Sequence, residues 1–247
     1  MSVYVAAHKA FSTELPESHK PIFVGANKNT PIFEIADNKG DNISDKNAYF
    51  CELTALYFIW KNTDDRYKGL AHYRRYFKGK KGILTEPEID KILQNYDVIA
   101  AKPAYLRETA YEEFSLHSGH SRDLDLLRET VNELYPEYIP AYDNVFGSNR
   151  LHLYNMLIAD AQTFDKYCEW LFGILLALEP KVDMTGYTDY EKRLYGFLGE
   201  RLLNVYILHN SLSVYSCDVL NTEMKFTEDL KIRLRGIKNR ILFKFSR

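Results

Sequence analysis

The chain has 247 residues, 46% of them hydrophobic and 27% charged, with a formal net charge of −2. That is enough apolar sequence for one large domain with a full core, and it excludes a disordered chain. Three well-separated cysteines with no CxxC or Cys/His spacing argue against a structural zinc site and fit a reducing compartment.

In chain order, residues 1–9 (MSVYVAAHK) predict a strand over 3–7 and not a signal peptide, because a basic n-region and a long apolar run are both missing. A second short strand is expected over 22–25. Residues 36–47 (ADNKGDNISDKN) are dense in turn formers and predict a loop. Ser44 or Asp45 is then the expected cap of a helix over 47–61, which turns Phe50, Leu53, Thr54, Tyr57, Ile59 and Trp60 toward a core. Residues 67–72 predict the next strand. A helix over 86–95 with Pro87 in its first turn follows, and then a buried strand over 96–101 (YDVIAA) ended by Lys102-Pro103. The second half is more helical. Residues 121–134 are amphipathic through Leu124, Leu127, Val131 and Leu134; a short apolar strand over 155–159 precedes helices over 163–178 and 190–208. Strands alternating with helices predict an α/β domain with a mostly parallel sheet and a helical C-terminal half.

Residues 1–230 are expected to form that single domain, and 231–247 a separate tail. The tail reads KIRLRGIKNRILFKFSR, with seven Lys or Arg and no acid, whereas the preceding residues carry 25 basic against 34 acidic side chains. Cations interleaved with Ile, Leu and Phe match a helix that lies on an anionic membrane surface. A helix packed on the domain with its cations in water is the alternative. No apolar run is long enough to span a bilayer, and no nucleic-acid-binding motif accompanies the basic segment.

The chemistry concentrates in residues 68–77 (KGLAHYRRYF). Arg74 and Arg75 at a strand end are fixed cations whose planar forks suit phosphate oxygens, and Tyr73, Tyr76 and Phe77 can shield such a site or stack on a flat ring. A P-loop, a GxGxxG turn, an HExxH helix and a GxSxG elbow are all absent. Paired carboxylates occur at Asp64-Asp65 and Glu112-Glu113, but the first pair precedes its strand and sits at the wrong end to hold a metal beside the arginines.

Six blocks carry a resemblance: GDNIS with KN (40–47), FIWKN (58–62), YKGLAHYRRYF (67–77), NMLI (155–158), YCEWLFGIL (167–175) and R-x-x-x-F-L-x-E-R-L (193–202). Together they resemble the capsular and exopolysaccharide biosynthesis glycosyltransferase family. Its defining domain was long catalogued as one of unknown function, and some members are assigned as galactofuranosyltransferases. The resemblance runs over about residues 3–207. It implies a Rossmann-like (GT-A-like) fold and a UDP-sugar-dependent hexosyltransferase. Such an enzyme moves galactofuranose or galactose to a lipid-linked oligosaccharide in capsular, exopolysaccharide or O-antigen assembly, at the cytoplasmic face of the plasma membrane.

Many Rossmann-like sugar transferases hold the donor diphosphate through a DxD motif and a divalent ion; here the comparable strand ends in His72-Tyr73-Arg74-Arg75. This predicts transfer without metal or other cofactor, with Arg74 and Arg75 neutralising the departing diphosphate and His72 donating a hydrogen bond to it. Ligands gather outside the carboxyl ends of parallel strands, which makes His8 and Lys9 candidate nucleotide contacts and Asp41, Asn42 and Asn47 candidate base or ribose contacts; a loop-capping role is the alternative for each. His117 and His120 lack a third ligand at metal-binding spacing, which leaves an acceptor-site role or ordinary surface histidines. Arg193 and Glu200 are seven apart and share a helix face, so Glu200 either pairs with Arg193 or Arg201 or serves a sugar hydroxyl. Glu200, Asp160 and His120 are the candidates for a general base. Asn155 is expected to meet the sugar, and Met156 to lie in the core. The expected partners are thus a nucleotide-sugar, a lipid-linked acceptor and a membrane surface, with no nucleic acid. A non-catalytic sugar-nucleotide or glycan-binding module of the assembly machinery is a second reading, and a phosphate-handling enzyme a third that lacks a visible metal cradle.

Overall fold

Residues 1–245 are described by the computed structural model, except for the side chains of Phe226, Asp229 and Arg233. The chain lays down β1 (Ser2–Ala7), β2 (His19–Phe23), β3 (Ile35–Ala36), α1 (Asn47–Phe50), α2 (Leu53–Asn62) and β4 (Tyr67–His72). A hairpin of β5 (Arg75–Gly79) and β6 (Gly82–Ile83) leads to α3 (Glu86–Leu93) and β7 (Val98–Ala101). Next come β8 (Ala104–Tyr105), α4 (Ala110–His117), α5 (Ser121–Leu134), α6 (Ile139–Gly147), β9 (Arg150–Leu151) and β10 (Leu157–Asp160). Then follow α7 (Ala161–Leu178), α8 (Leu194–His209), β11 (Val214–Cys217), β12 (Val219–Asn221) and α9 (Phe226–Phe245).

The central sheet has the order β11-β7-β10-β4-β1-β2-β3. Its strands are parallel except β10, which runs antiparallel to both β4 and β7. β1 is buried along its whole length, as expected of a strand covered on both faces. Gly69 is where β10 closes on β4: a Cβ there would lie 2.7 Å from Cγ1 of Ile158, so the close pairing needs glycine. One face of the sheet carries the larger core, in which Phe50, Leu53, Trp170, Leu171, Leu198 and Leu202 join α1, α2, α7 and α8. The other carries a smaller one, with Val3, Val5, Tyr76, Ile89, Ile99 and Met156 under α3 and the β5–β6 hairpin.

The antiparallel β10 decides where the site forms. Its first residues lie at the same sheet edge as the carboxyl ends of β1, β4 and β7, since Leu157 pairs with Leu70 and Ala100, and Ala6 with His72. Its last residue, Asp160, pairs with Tyr67 at the opposite edge.

Several local expectations shift. The helix expected over 47–61 breaks at Cys51, whose φ is 52°, because the Asn47 side chain donates to the Cys51 carbonyl (2.8 Å) and to Thr54 Oγ1 (3.1 Å). Ser44 caps no helix; its hydroxyl donates to Asp37. The helix expected from residue 190 opens with a 3-10 turn over Glu191–Arg193. Of the basic tail, residues 231–245 belong to α9, and Ser246 and Arg247 lie outside the described residues.

Candidate functional site

A cavity of about 610 Å³ opens at the carboxyl edge of β1 and β4. Its size falls within the usual range for small-molecule sites. One wall is the end of β4 with the residues after it: His72, Tyr73, Arg74 and Arg75 all line the cavity, together with His8 beyond β1. The Tyr73 ring organises this wall. His8 meets it edge-on at 5.3 Å, the Lys9 ammonium lies 5.3 Å from its centroid, and the Arg74 guanidinium lies 5.0 Å from it. Burial, followed by the nearby Lys9 and Arg74 charges, lowers the His8 pKa. Arg75 stacks on the Tyr154 ring at 4.6 Å and has no carboxylate at ion-pair distance among the described residues. Arg74 pairs with Glu223 at 3.2 Å, and Lys9 reaches the same carboxylate at 3.9 Å.

The opposite wall comes from α8, the turn before it and the segment leading into α2: Glu52, Tyr190, Arg193, Phe197, Glu200 and Arg201. Glu200 accepts the Tyr154 N–H at 2.8 Å and a bond from Arg201 at 3.4 Å. Burial pushes its pKa up to about 7, with Arg201 opposing the shift and Glu52 adding to it. A carboxylic acid in that range is ionised and protonated in comparable amounts near neutral pH, as suits a proton acceptor. Arg201 is nearly fully buried and also holds Glu113. Cys51 faces the cavity beside Arg193 (3.3 Å), but burial raises its thiol to about 11, so it stays protonated.

Between the walls, Tyr154 and Asn155 adopt φ values of 78° and 52°. Such conformations cost a non-glycine residue on the order of 1–3 kcal/mol and persist only when neighbours over-determine them. Here the Tyr154 N–H goes to Glu200 and its carbonyl accepts from His72 Nε2 at 2.7 Å. Asn155 donates to Glu52 (2.7 Å) and to the Gly196 carbonyl (3.0 Å), and its own buried Oδ1 has no partner among the described residues. Gly199 makes room for that amide, since a Cβ there would lie 2.9 Å from Oδ1.

This geometry changes the expected role of His72. A carbonyl only accepts, so Nε2 carries the proton and spends it on Tyr154; burial lowers the ring's pKa and keeps it neutral. The remaining nitrogen, Nδ1, is then an acceptor. His72 thus spends its one N–H on the strained turn.

Among the other expected site residues, Asn47 and Arg193 line the cavity, Lys9 stands at its rim, and Asn155 lies buried behind it. Five others lie away from it. Asp160 is at the far sheet edge, where it caps α7 through Thr163 (3.0 Å to its N–H), because β10 runs antiparallel. His120 sits at the start of α5 against Tyr187 and Glu191, lining a different hollow, and His117 is exposed at the end of α4. Asp41 bonds Tyr57 and Asn62, and Asn42 closes its own turn onto Gly40 and Ser44. The polar loop owes its shape to Asp37, which is fully buried and accepts the N–H groups of Gly25 and Ala26 and the hydroxyls of Ser44 and Thr54. Glu52, Glu113 and Tyr154 join the site without having been expected there, whereas Arg201 is the partner of Glu200 that the sequence offered.

The domain of unknown function DUF4422 matches residues 2–211. The chain belongs to that family. Its fold is similar to that of the WbbM bifunctional glycosyltransferase in its apo structure, with 30% identity and a TM-score of 0.81 over 88% of this chain. The match covers 44% of that larger chain. No curated protein matches. The fold is thus the GT-A-like α/β arrangement that the sequence blocks imply, with a mostly parallel mixed sheet flanked by helices.

Proposed function

We propose that this DUF4422 protein is a glycosyltransferase that moves galactofuranose or galactose from a UDP-sugar to a lipid-linked oligosaccharide in surface-polysaccharide assembly, without a metal ion. The observation that carries this reading is the division of the cavity. Fixed cations, Arg74 and Arg75 with Lys9 at the rim, stand on the β4 side, and Glu200, held near neutrality, stands on the α8 side. The similarity to the WbbM glycosyltransferase supports the same reading.

In this proposal the donor diphosphate lies against Arg74 and Arg75. As the bond from the anomeric carbon to the diphosphate oxygen breaks, the guanidinium groups take up the charge on the leaving UDP. The acceptor hydroxyl oxygen attacks the anomeric carbon and passes its proton to the Glu200 carboxylate. Tyr190 and Phe197, beside Arg193, offer the apolar faces on which sugar rings commonly rest. The test is product formation with UDP-galactofuranose and UDP-galactose as donors and a lipid-linked glycan as acceptor, in EDTA. Acceptor-dependent UDP release supports the proposal. Tight UDP binding without transfer to any glycan acceptor would instead favour a sugar-nucleotide-binding module.

A further inference from the structure

α9 keeps a row of apolar side chains in water. Leu230, Leu234, Ile237, Ile241 and Phe245 follow one another at spacings of three or four and therefore share one face of the helix. Their exposures are 46, 58, 57, 51 and 86%. The face turned to the rest of the protein is the other one. Gly236, Asn239 and Phe243 are the half-buried positions there, Asn239 donates to the Tyr105 carbonyl at 3.0 Å, and Arg240 lies 5.2 Å from the Tyr105 ring. Helical geometry places Gly236, Asn239 and Phe243 about half a turn from the apolar row, with Arg240 between the two faces. Not every apolar residue joins the row, since Ile232 and Leu242 are exposed elsewhere on the helix.

Exposed cations flank the row on both sides: Lys231 and Lys238 along one edge, Arg240 and Lys244 along the other. No acidic residue follows Asp229. Among the described residues no helix is long and apolar enough to cross a membrane. An apolar stripe between two rows of cations, turned away from its own protein, matches in charge and polarity a layer of acyl chains beneath anionic headgroups. A nucleic acid would satisfy the cations and leave the stripe in water.

We propose that α9 docks this protein on an anionic bilayer surface, lying in the headgroup plane with Leu230, Leu234, Ile237, Ile241 and Phe245 toward the acyl chains. The helix is joined to the cavity rim. β12 pairs with β5, so that Asn221 lies opposite Arg75; Thr222 N–H donates to the Arg74 carbonyl at 3.0 Å, and Glu223 pairs with Arg74. Glu223 at the rim lies three residues before the docked helix. That this serves a lipid-linked acceptor rests on the glycosyltransferase reading, whereas the docking itself does not.

The test is co-sedimentation of the full chain with phosphatidylcholine vesicles, with and without phosphatidylglycerol, at low and high salt. Ile237→Asp/Ile241→Asp disrupts the stripe, Lys231→Ser/Lys238→Ser removes one cationic edge, and Leu116→Ser, at a residue 64% exposed on α4, is the control. The expected result is binding to anionic vesicles only, weaker in high salt, and reduced roughly tenfold or more by either α9 variant but not by the control. Three results would overturn the proposal. One is no vesicle binding by the wild type. Another is binding that the Ile237→Asp/Ile241→Asp variant retains in full, which makes the contact purely electrostatic and open to nucleic acid. The last is an α9-dependent dimer in sedimentation that leaves vesicles unbound, which assigns the stripe to a second copy. Acceptor-dependent UDP release measured with a water-soluble acceptor scores the glycosyltransferase reading separately.

Discussion

Glu200 Oε1 accepts the backbone N–H of Tyr154 at 2.8 Å, and this bond ties α8 to a turn with a φ of 78°. The same carboxyl group is pushed up to about 7 by burial. One side chain thus holds the strained turn in place and keeps a proton-accepting group on the α8 wall of the cavity.

Replacing Glu200 with Gln keeps the shape and removes the base. Transfer is expected to fall by about two to four orders of magnitude, with UDP affinity changed far less. In the wild type, kcat/KM should rise with pH through about 7 as the carboxyl ionises, and that limb should be missing in the variant. Stability gives an independent reading. The folded-state pKa lies above the unfolded value, so ionisation is penalised only in the fold. The Glu200 contribution to stability therefore declines as pH rises from about 4.5 to about 7, while the buried histidines, whose pKa values are lowered, contribute in the opposite sense. The difference in stability between wild type and Glu200→Gln should follow the Glu200 part alone in denaturant titrations across that window. An unchanged pH–rate profile in the variant would remove Glu200 from the chemistry.

His72→Ala leaves the Tyr154 carbonyl without its partner. The expected cost is about 1–3 kcal/mol of stability, measured by urea unfolding, with weaker transfer because the turn is released. UDP affinity should suffer much less than in the arginine variants. A loss of UDP binding equal to theirs would mean that His72 contacts the nucleotide after all.

Much of the scaffold was legible because periodicity and caps report local structure directly. The strand over Tyr67–His72 and the helix over Ser121–Leu134 fall at the expected residues. The wall formed by Tyr73, Arg74 and Arg75 was also legible, since it lies at a strand end on the chain itself. What the sequence concealed is the direction of β10. An apolar run of four residues reads the same either way along a sheet, and its reversal exchanges the ends: Asp160 leaves the site and Tyr154 enters it. For Asp41 and Asn42 the loop-capping alternative holds. Asp and Asn are turn formers as well as ligand contacts, and here the turn claims both.

The polar loop yields a prediction of its own. Asp37→Ala strips the acceptor from two backbone N–H groups and two hydroxyls in a fully buried position. A loss of about 3 kcal/mol or more is expected in chemical denaturation. A variant as stable as the wild type would mean that water or another group takes over the four donors.

Glu223 occupies the two cations at the rim. Freeing them with Glu223→Gln should tighten UDP binding about two- to fivefold, the scale of an exposed ion pair. The gain should shrink in high salt. Weaker binding in the variant would place the Glu223 carboxylate on the ligand side of the account.

In the proposed reaction, fixed arginines hold the donor diphosphate. Calorimetric titration of the purified protein with UDP, in EDTA, against the Arg74→Ala/Arg75→Ala variant tests this. Binding is expected to persist in EDTA and to weaken by at least about a hundredfold on the double substitution, as befits two charge-assisted contacts. Binding that vanishes in EDTA, or that survives the loss of both arginines, would contradict it.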